Sequence, residues 1–351
     1  MQTRITILCV ALGLVYVPSS GAEDGIPRTE SGKPDLSGTY DIASLTQFER
    51  PQEYGESLTM SVEEARRIEA VKADSTAQAD TASDPDRGAP PAGGDLHLSR
   101  VGGHNQWYFD RGTTVFALDG LFRTSILTDP PNGRLPELTE AGKVNHSWSL
   151  GCGRGSCRPR DYQGPTGDAW WVEAEDNLYD NPEGQTLGTR CIYSGGPTVP
   201  IRPASYNNLK TITQTETHVV ILVEWMHWAR VVRLDSIHLP SEMRSLGGDS
   251  IGWWEGDTLV VDTTNFLASP TVPREGFHVV ERFRRVDGDT VLYEFTVDDP
   301  DYTAPFSGSL PWPRTDKRLF EYACHEGNYS MGNTLRGARL LEREWSDEHG
   351  G

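Results

Sequence analysis

Two β-hairpins of similar sequence most constrain how this chain can fold. Residues 253–261 and 283–293 each contain an acidic-Gly-Asp-Thr turn that is followed by an apolar strand. A glycine-containing turn between two apolar runs is a strong hairpin signal, because glycine readily adopts the left-handed backbone conformation of tight turns. No third copy occurs, so the sequence predicts neighbouring hairpins of one antiparallel meander rather than an array of repeats.

Further strand signals precede these hairpins. Residues 114–118 and 121–127 flank the turn signal Asp119-Gly120. Residues 218–234 are rich in apolar side chains, are too long for one strand, and are predicted to bend at residues 226–228. A long meander protects its edges most completely by closing. The predicted fold is therefore mainly β, an antiparallel meander closing into a calycin- or lipocalin-like barrel, with a β-sandwich as the alternative.

Helical signals are few, and one or two short helices are expected. Ser61 and Glu64 form a capping-box pattern before residues 65–71, and residues 139–143 favour a second helix. Residues 74–95 offer almost nothing to bury and are predicted to be flexible. Three segments follow from this pattern: a signal peptide over residues 1–22, an N-terminal extension with the helix and the flexible linker over 23–98, and a β-rich domain over 99–351.

The first residues have the pattern of an export signal. Arg4 precedes an apolar run over residues 5–17, and Ser20 and Ala22 stand where signal peptidase prefers small residues, which predicts cleavage before Glu23. The run is shorter than the roughly 20 residues that cross a bilayer. The sequence therefore predicts a periplasmic or secreted protein without a membrane span.

The chain is strongly acidic, with 51 Asp and Glu residues against 32 Lys and Arg residues. Such a surface repels phosphate backbones and anionic lipids, so neither nucleic acid nor a membrane surface is an expected partner. The sequence also lacks a phosphate-binding loop, a dinucleotide fingerprint and a His-Glu-x-x-His zinc helix. The expectation is no cofactor and no metal, and a small molecule as partner.

Four cysteines remain after the predicted signal peptide. Cys152 and Cys157 enclose a short glycine-rich loop and are predicted to pair, which leaves Cys191 for Cys324. Four cysteines allow three connectivities, so other pairings stay open from the sequence alone. A zinc site is disfavoured, because Cys191 and Cys324 each lack a closely spaced second cysteine.

Three stretches carry distinctive motifs: residues 123–136, 254–266 and 321–329. They resemble a large family of exported bacterial proteins, and the resemblance extends over roughly residues 115–340. It implies export and a shared fold, but it brings no settled activity and no catalytic residues. The family usually has an acidic residue after the histidine that corresponds to His227, whereas this chain has Trp228. If the acidic side chain orients the histidine in the family, this chain has lost or replaced that support.

The side chains best suited to catalysis are Glu224 and His227. A bend at residues 226–228 would bring them together, and a histidine beside a carboxylate is a candidate general base near neutral pH. The alternative is a turn histidine bonded to the backbone, with Glu224 in an ion pair with Arg230.

His325 and Glu326 are the second catalytic candidates. They follow Cys324, whose predicted disulfide would hold their backbone firmly. A catalytic site needs such rigid support, and a structural C-terminal clasp would have it equally. Together with His227 they would supply two histidines and one carboxylate, a known metal-binding set, although their spacing does not require it.

Other charged and aromatic side chains are candidates for ligand binding: Arg123, Arg134, Arg230, Trp225, Trp254 and Tyr329. The arginines suit a carboxylate or sugar hydroxyls, and indole faces suit a sugar or an aromatic ring; structural pairing and core packing are the alternatives. The first hypothesis is an exported barrel that binds a small, partly apolar or sugar-like molecule in an interior pocket. The alternatives are a hydrolase, lyase or isomerase with a His/Glu pair in that pocket, and a structural envelope protein.

Overall fold

One large curled sheet of ten strands dominates the protein, which is mainly β. The computed structural model describes residues 25–79, 86, 110–143, 169–173, 179–193, 198–267 and 275–350. The predicted signal peptide, most of the predicted linker, and Cys152 and Cys157 lie outside the described residues.

The strands follow the chain as β1 (Gly38–Asp41), β2 (Thr59–Met60), β3 (Ala117–Leu118), β4 (Leu121–Arg123), β5 (Leu127–Asp129), β6 (Leu209–Gln214), β7 (His218–Val223), β8 (Trp228–Leu234), β9 (Asp249–Glu255), β10 (Thr258–Thr264), β11 (His278–Arg285), β12 (Thr290–Asp298) and β13 (Phe306–Pro313). The large sheet has the order β1-β6-β7-β8-β9-β10-β11-β12-β13-β5. Strands β2, β4 and β3 form a small second sheet.

The predicted hairpins are confirmed. β9 pairs with β10 and β11 with β12, both antiparallel, and Gly256 in the first turn has a φ of 60°. Asp119 and Gly120 join β3 to β4 with φ values of 53° and 75°. Two successive left-handed residues match the right-handed twist of the flanking strands, which is why Asp-Gly signals the turn so well.

The meander is not antiparallel throughout, contrary to the prediction. β8 and β9 run parallel, with Val232 opposite Ser250. Parallel neighbours need a crossover rather than a tight turn, and residues 235–248 supply it. We call residues 235–248 the crossover loop.

The prediction of a closed barrel is wrong for the described residues, because the sheet curls only into a half-barrel. β5 pairs with the start of β13 at Ser307 and Gly308, and just past the end of β13 a single bridge joins Tyr40 of β1 to Arg314. The free edge of β13 is thus covered by β5 at its start and by the Tyr40 bridge just past its end, but β13 does not pair continuously with β1. The described residues also do not form the two comparable sheets of a β-sandwich.

The core lies on the concave face of the curled sheet. Alternate residues of the strands point inward, as the period of two predicts. Aromatic rings fill its centre, with the rings of Phe283 and Tyr293 5.0 Å apart and those of Tyr293 and Trp312 also 5.0 Å apart. Each fully buried large apolar side chain contributes about 1.5–3 kcal/mol to folding.

Three helices have described bounds. Helix α1 (Val62–Ala79) begins at the predicted position, where Ser61 Oγ accepts a hydrogen bond from the Glu64 N–H at 3.2 Å. Helix α2 (Trp170–Glu173) is short, and α3 (Tyr329–His349) ends the described chain. Residues 140–143 are helical as predicted. No helix within these described parts is long and apolar enough to cross a membrane.

Helix α3 was not predicted, and it packs on a second apolar cluster. Asn328 caps its first turn by accepting a hydrogen bond from the Met331 N–H. Trp170 and Trp171 of α2 pack there with Tyr179 and Ala338, and the Trp171 indole donates to Glu342 at 2.9 Å. These two tryptophans therefore belong to helix packing rather than to a pocket.

Candidate functional site

The chain bends between β7 and β8, as the sequence predicts. Glu224 begins the bend, and residues 225–227 form one tight helical turn. Met226 and His227 adopt left-handed φ values of 59° and 51°, which reverse the chain within a few residues. The bend turns Glu224 and His227 towards residues 314–328, which we call the C-terminal strap.

Glu224 uses both carboxylate oxygens to join the sheet to the strap. One accepts from the Leu209 N–H at 3.3 Å and the other from the Phe320 N–H at 3.2 Å. The side chain is buried, so these bonds replace the water that the carboxylate loses on folding. Glu224 thus fixes the position of the strap.

His227 has a similar role from the end of the bend. Its Nε2 accepts a hydrogen bond from the Tyr322 N–H at 2.5 Å, which requires the lone pair of that nitrogen. The His227 N–H donates to the Glu224 backbone carbonyl at 3.2 Å, but no described hydrogen bond joins the two side chains. The geometry resembles the alternative considered from the sequence, a turn histidine bonded to the backbone; an acid–base role for the pair stays a prediction.

A disulfide between Cys191 and Cys324 anchors the far end of the strap, as predicted. His325 and Glu326 follow it and are exposed. Among the described residues, no hydrogen bond or ion pair joins their side chains to Glu224 or His227, and no group of three or more His, Cys, Asp or Glu side chains is arranged to hold a metal ion. The catalytic role of His325 and Glu326 stays a prediction.

A pocket of about 590 Å³ lies between the strap and the start of β6. Such a volume suits a small molecule. Its wall combines aromatic, polar and charged side chains: Asp110, Tyr206, Asn207, Asn208, Leu209, Glu224, Lys317, Arg318 and Phe320. The ring of Phe320 is 76 % exposed at the rim. We call this the strap pocket.

An aromatic stack supports the strap pocket. Trp225 stacks on Tyr206 with ring centroids 4.8 Å apart. Trp225 also contacts Tyr322, with ring centroids 5.5 Å apart. Burial and the neighbouring Tyr206 raise the pKa of Tyr322. The predicted ligand-binding residue Trp225 therefore lies behind the pocket wall and positions Tyr206.

The two cations of the strap pocket differ in their partners. Lys317 Nζ lies 2.6 Å from Asp41 Oδ2 and 3.8 Å from Asp110 Oδ2, so the lysine charge is balanced by carboxylates. Arg318 is exposed and has no carboxylate partner among the described residues. Its guanidinium is available to an anionic group on a ligand.

Lys210 lies beside this pocket, wholly buried on the core side of β6. Its Nζ donates to the Asn207 carbonyl at 3.0 Å. Burial lowers the pKa of Lys210 to about 7, and the carboxylates of Glu224 and Asp41 oppose that shift. An amine with a near-neutral pKa can act as a base or nucleophile when a substrate reaches it.

Arg230 pairs with Glu281 rather than with Glu224, contrary to the ion pair considered from the sequence. Arg230 Nη2 and Glu281 Oε2 are 2.7 Å apart, both side chains are buried, and Tyr293 Oη donates to the other oxygen of Glu281 at 2.6 Å. The Ile201 N–H in turn donates to Tyr293 Oη at 2.7 Å. A polar group thus lies at the centre of the concave core.

The other predicted ligand-binding residues lie apart from one another. Trp254 packs on the core with the Lys33 amine 5.8 Å from its ring, and Tyr329 is 77 % exposed at the start of α3. Arg134 lies in the loop after β5, and Arg123 lines a groove of about 370 Å³ on the outer face of the sheet. They do not form one site, and their ligand roles stay predictions.

Residues 248–252 match the Gly-x-Ser-x-Gly pattern of hydrolase nucleophiles. That nucleophile lies on a sharp turn between a strand and a helix. Ser250 instead lies within β9, is buried, and shares a 2.9 Å hydrogen bond with Thr263. The match therefore does not place a reactive serine.

The sequence analysis missed a hydrogen-bonded chain of His238, Asp249, Asp262 and His278 on the outer face. Asp262 occurs within one of the distinctive motifs, but the other three side chains come from the crossover loop and from two other strands. Only the strand register brings them together. The alternation of residues 278–285 was the one available signal that His278 faces outward.

Comparisons of the chain with family models, with curated proteins and with solved structures find no match. The resemblance to exported bacterial proteins therefore stays a prediction from three motifs.

Proposed function

We propose that this protein is exported and binds a small organic anion with an apolar or aromatic body in the strap pocket. The observation that carries the proposal is that Arg318 and Phe320 line the same pocket. Arg318 is a cation without a carboxylate partner among the described residues, and the ring of Phe320 is exposed. A carboxylate or similar group would bind Arg318, and the apolar body would contact Phe320 and Tyr206. A sugar acid fits the same chemistry with a hydroxyl bonded to Asn207.

The export part of the proposal rests on the N-terminal pattern and on the disulfide. A Cys191–Cys324 bond between distant residues suits an oxidising compartment. A calycin-like relationship is part of the same proposal, supported by the curl of the sheet. The ligand site differs from the interior pocket first expected, because it lies beside the sheet under the strap.

An enzyme is the second candidate, and the pKa of Lys210 is the observation that favours it. A lysine with a near-neutral pKa suits a lyase or isomerase that uses an amine as base or nucleophile. The binding proposal has more support, because Lys210 is wholly buried and Glu224 and His227 both bond to backbone N–H groups.

Calorimetric titration with benzoate, phenylacetate and 4-hydroxycinnamate, each beside its neutral amide, tests the proposal. We expect the carboxylates to bind at least about tenfold more tightly than the amides, since a charged hydrogen bond contributes about 1.5–3 kcal/mol. Arg318→Gln should abolish that preference, whereas Arg336→Gln on the exposed face of α3 should preserve it. Equal binding of acid and amide, or an unchanged preference in Arg318→Gln, would contradict the proposal.

A further inference from the structure

Four side chains on the outer face form a continuous chain of hydrogen bonds. His238 of the crossover loop lies between two carboxylates, with Nδ1 2.8 Å from Asp249 and Nε2 2.9 Å from Asp262. The second oxygen of Asp262 lies 2.9 Å from His278 Nε2. At the other end, Arg233 Nη2 lies 2.9 and 3.0 Å from the two oxygens of Asp249.

The donors and acceptors of this chain define its protonation. Asp249 and Asp262 are acceptors when ionised, so each facing nitrogen must carry a proton. All the bonds form together only when His238 is protonated on both nitrogens and His278 on Nε2. The charges of Arg233 and His238 then match those of the two aspartates, and Nδ1 is the ring nitrogen of His278 that does not face Asp262.

Exposure within the chain is lowest at Asp249 and highest at His278, with Asp262 at 21 %. The side chain of Asp249 is 9 % exposed, that of His238 26 %, and that of His278 40 %. Asp249 is thus held within the protein, and His278 meets solvent. This is the arrangement of a base whose orientation is fixed by a carboxylate, which is in turn held by further partners.

A polar groove adjoins His278 on the same face of the sheet. Val280 lines this groove of about 370 Å³ and lies two residues beyond His278, so the histidine is about 7 Å from its edge. The groove contains two cations and several hydroxyl groups: Arg123, Arg282, Thr128, Thr296, Ser307 and Ser309. Arg282 is paired with Glu255 at 2.8 Å, whereas the buried Nε of Arg123 has no hydrogen-bond partner in the described parts of the chain.

Other charged groups surround His278. Asp298 lies opposite it on β12, and Glu294 lines the adjoining groove. Arg244 of the crossover loop pairs with Glu275, just before β11, at 2.7 Å. The arginines of the groove favour an anionic ligand there.

We propose that His278 is a general base for a small polar anion bound in the adjoining groove, a site separate from the strap pocket. Nδ1 of His278 takes a proton from a hydroxyl group of that ligand or from water; the O–H bond breaks, an N–H bond forms, and the electron pair stays on oxygen. The imidazolium that results is stabilised by Asp262. Asp262 and His238 are positioning residues, and Asp249 with Arg233 holds them.

Two measurements on the whole protein test this assignment. Nitrogen-15 NMR of the imidazoles reports the tautomer, and we expect a proton on Nε2 and none on Nδ1 of His278. The rate of carbethoxylation by diethyl pyrocarbonate, followed by mass spectrometry, reports the nucleophilicity of Nδ1. His218 is the control, because it is exposed and its ring bonds, among the described residues, to the Thr217 hydroxyl alone.

Asp262→Asn should abolish the tautomer preference of His278 and lower its carbethoxylation rate about tenfold, while leaving His218 unchanged. Asp298→Asn, opposite His278 on β12, should preserve the tautomer. The proposal is overturned if wild-type His278 carries its proton on Nδ1, or if its reaction rate is that of His218 and does not respond to Asp262→Asn. Neither readout depends on ligand binding in the strap pocket.

Discussion

Lys210 shows how one buried side chain links pH to stability. The folded protein holds this lysine at a pKa of about 7, against an ordinary value of 10.5, mainly because burial removes water from the ammonium group. Below pH 7 the lysine is protonated in both the folded and the unfolded chain, so the full cost of burying its charge opposes folding. Between pH 7 and 10.5 only the unfolded chain binds the proton, and stability therefore rises with pH.

Lys210→Met removes this titration. We expect the difference in unfolding free energy, wild type minus variant, to increase by about 1.4 kcal/mol per pH unit above pH 7. Urea denaturation of the oxidised protein at pH 6, 8 and 9 measures it. Lys72→Met on α1 is the control substitution. A constant difference between wild type and Lys210→Met across these pH values would show that burial does not hold the amine at a low pKa.

At the scale of elements, the C-terminal strap joins parts of the chain that are distant in sequence. The Cys191–Cys324 bond closes a separation of 133 residues, while Glu224 and His227 hold the strap through backbone N–H groups. The disulfide limits the freedom of the unfolded chain, and the hydrogen bonds place the strap over the pocket. The disulfide therefore anchors the strap, whereas the hydrogen bonds of Glu224 and His227 determine where it lies.

Replacing Cys191 and Cys324 together by serine should lower the unfolding free energy by about 5 kcal/mol, as loop entropy predicts for so long a loop. The paired Cys152→Ser and Cys157→Ser change is the control, and the short loop that these two cysteines are predicted to close corresponds to a loss of about 2 kcal/mol. Hydrogen exchange at the Phe320 and Tyr322 amides should accelerate only in the first variant. Equal losses in the two variants would contradict the entropic account.

The elements that depend on local signals were predictable from sequence, and those that depend on distant pairing were not. The hairpins and the start of α1 follow from turn and capping residues within a few positions of each other. The parallel pairing of β8 with β9 depends on where a 14-residue crossover returns, which no local pattern records. Helix α3 contains Gly332 and Gly337, each of which weakens a helical pattern by about 1 kcal/mol.

The candidate sites divide in the same way. The bend that joins Glu224 to the strap was predictable, because residues 218–234 are too long for one strand. The strap pocket could be recognised only from the structure, since its wall comes from segments more than 90 residues apart. The hydrogen-bonded chain of His238, Asp249, Asp262 and His278 also could be recognised only from the structure, because no sequence pattern indicates that His238 lies between two aspartates.

At the scale of the whole molecule, the Arg230–Glu281 pair connects distant parts of the half-barrel. β8 and β11 are separated in the sheet by β9 and β10, which would place them about 14 Å apart if the sheet were flat. Curling brings the two side chains to 2.7 Å over the concave face, where both are buried. A buried pair is strongly destabilising when only one partner is removed, because the other charge is left uncompensated.

Double-mutant measurements can separate the pair from the core that surrounds it. Arg230→Met and Glu281→Leu should each lower the unfolding free energy by about 3–5 kcal/mol, whereas the double variant should lose much less than their sum. Tyr293→Phe removes the hydrogen bond to Glu281 and also the acceptor of the Ile201 N–H, and should cost about 1–3 kcal/mol. Chemical denaturation of the wild type and the four variants at one pH provides the comparison. Additive single losses would mean that the two charges act independently, and the curl of the sheet would then depend on apolar packing alone.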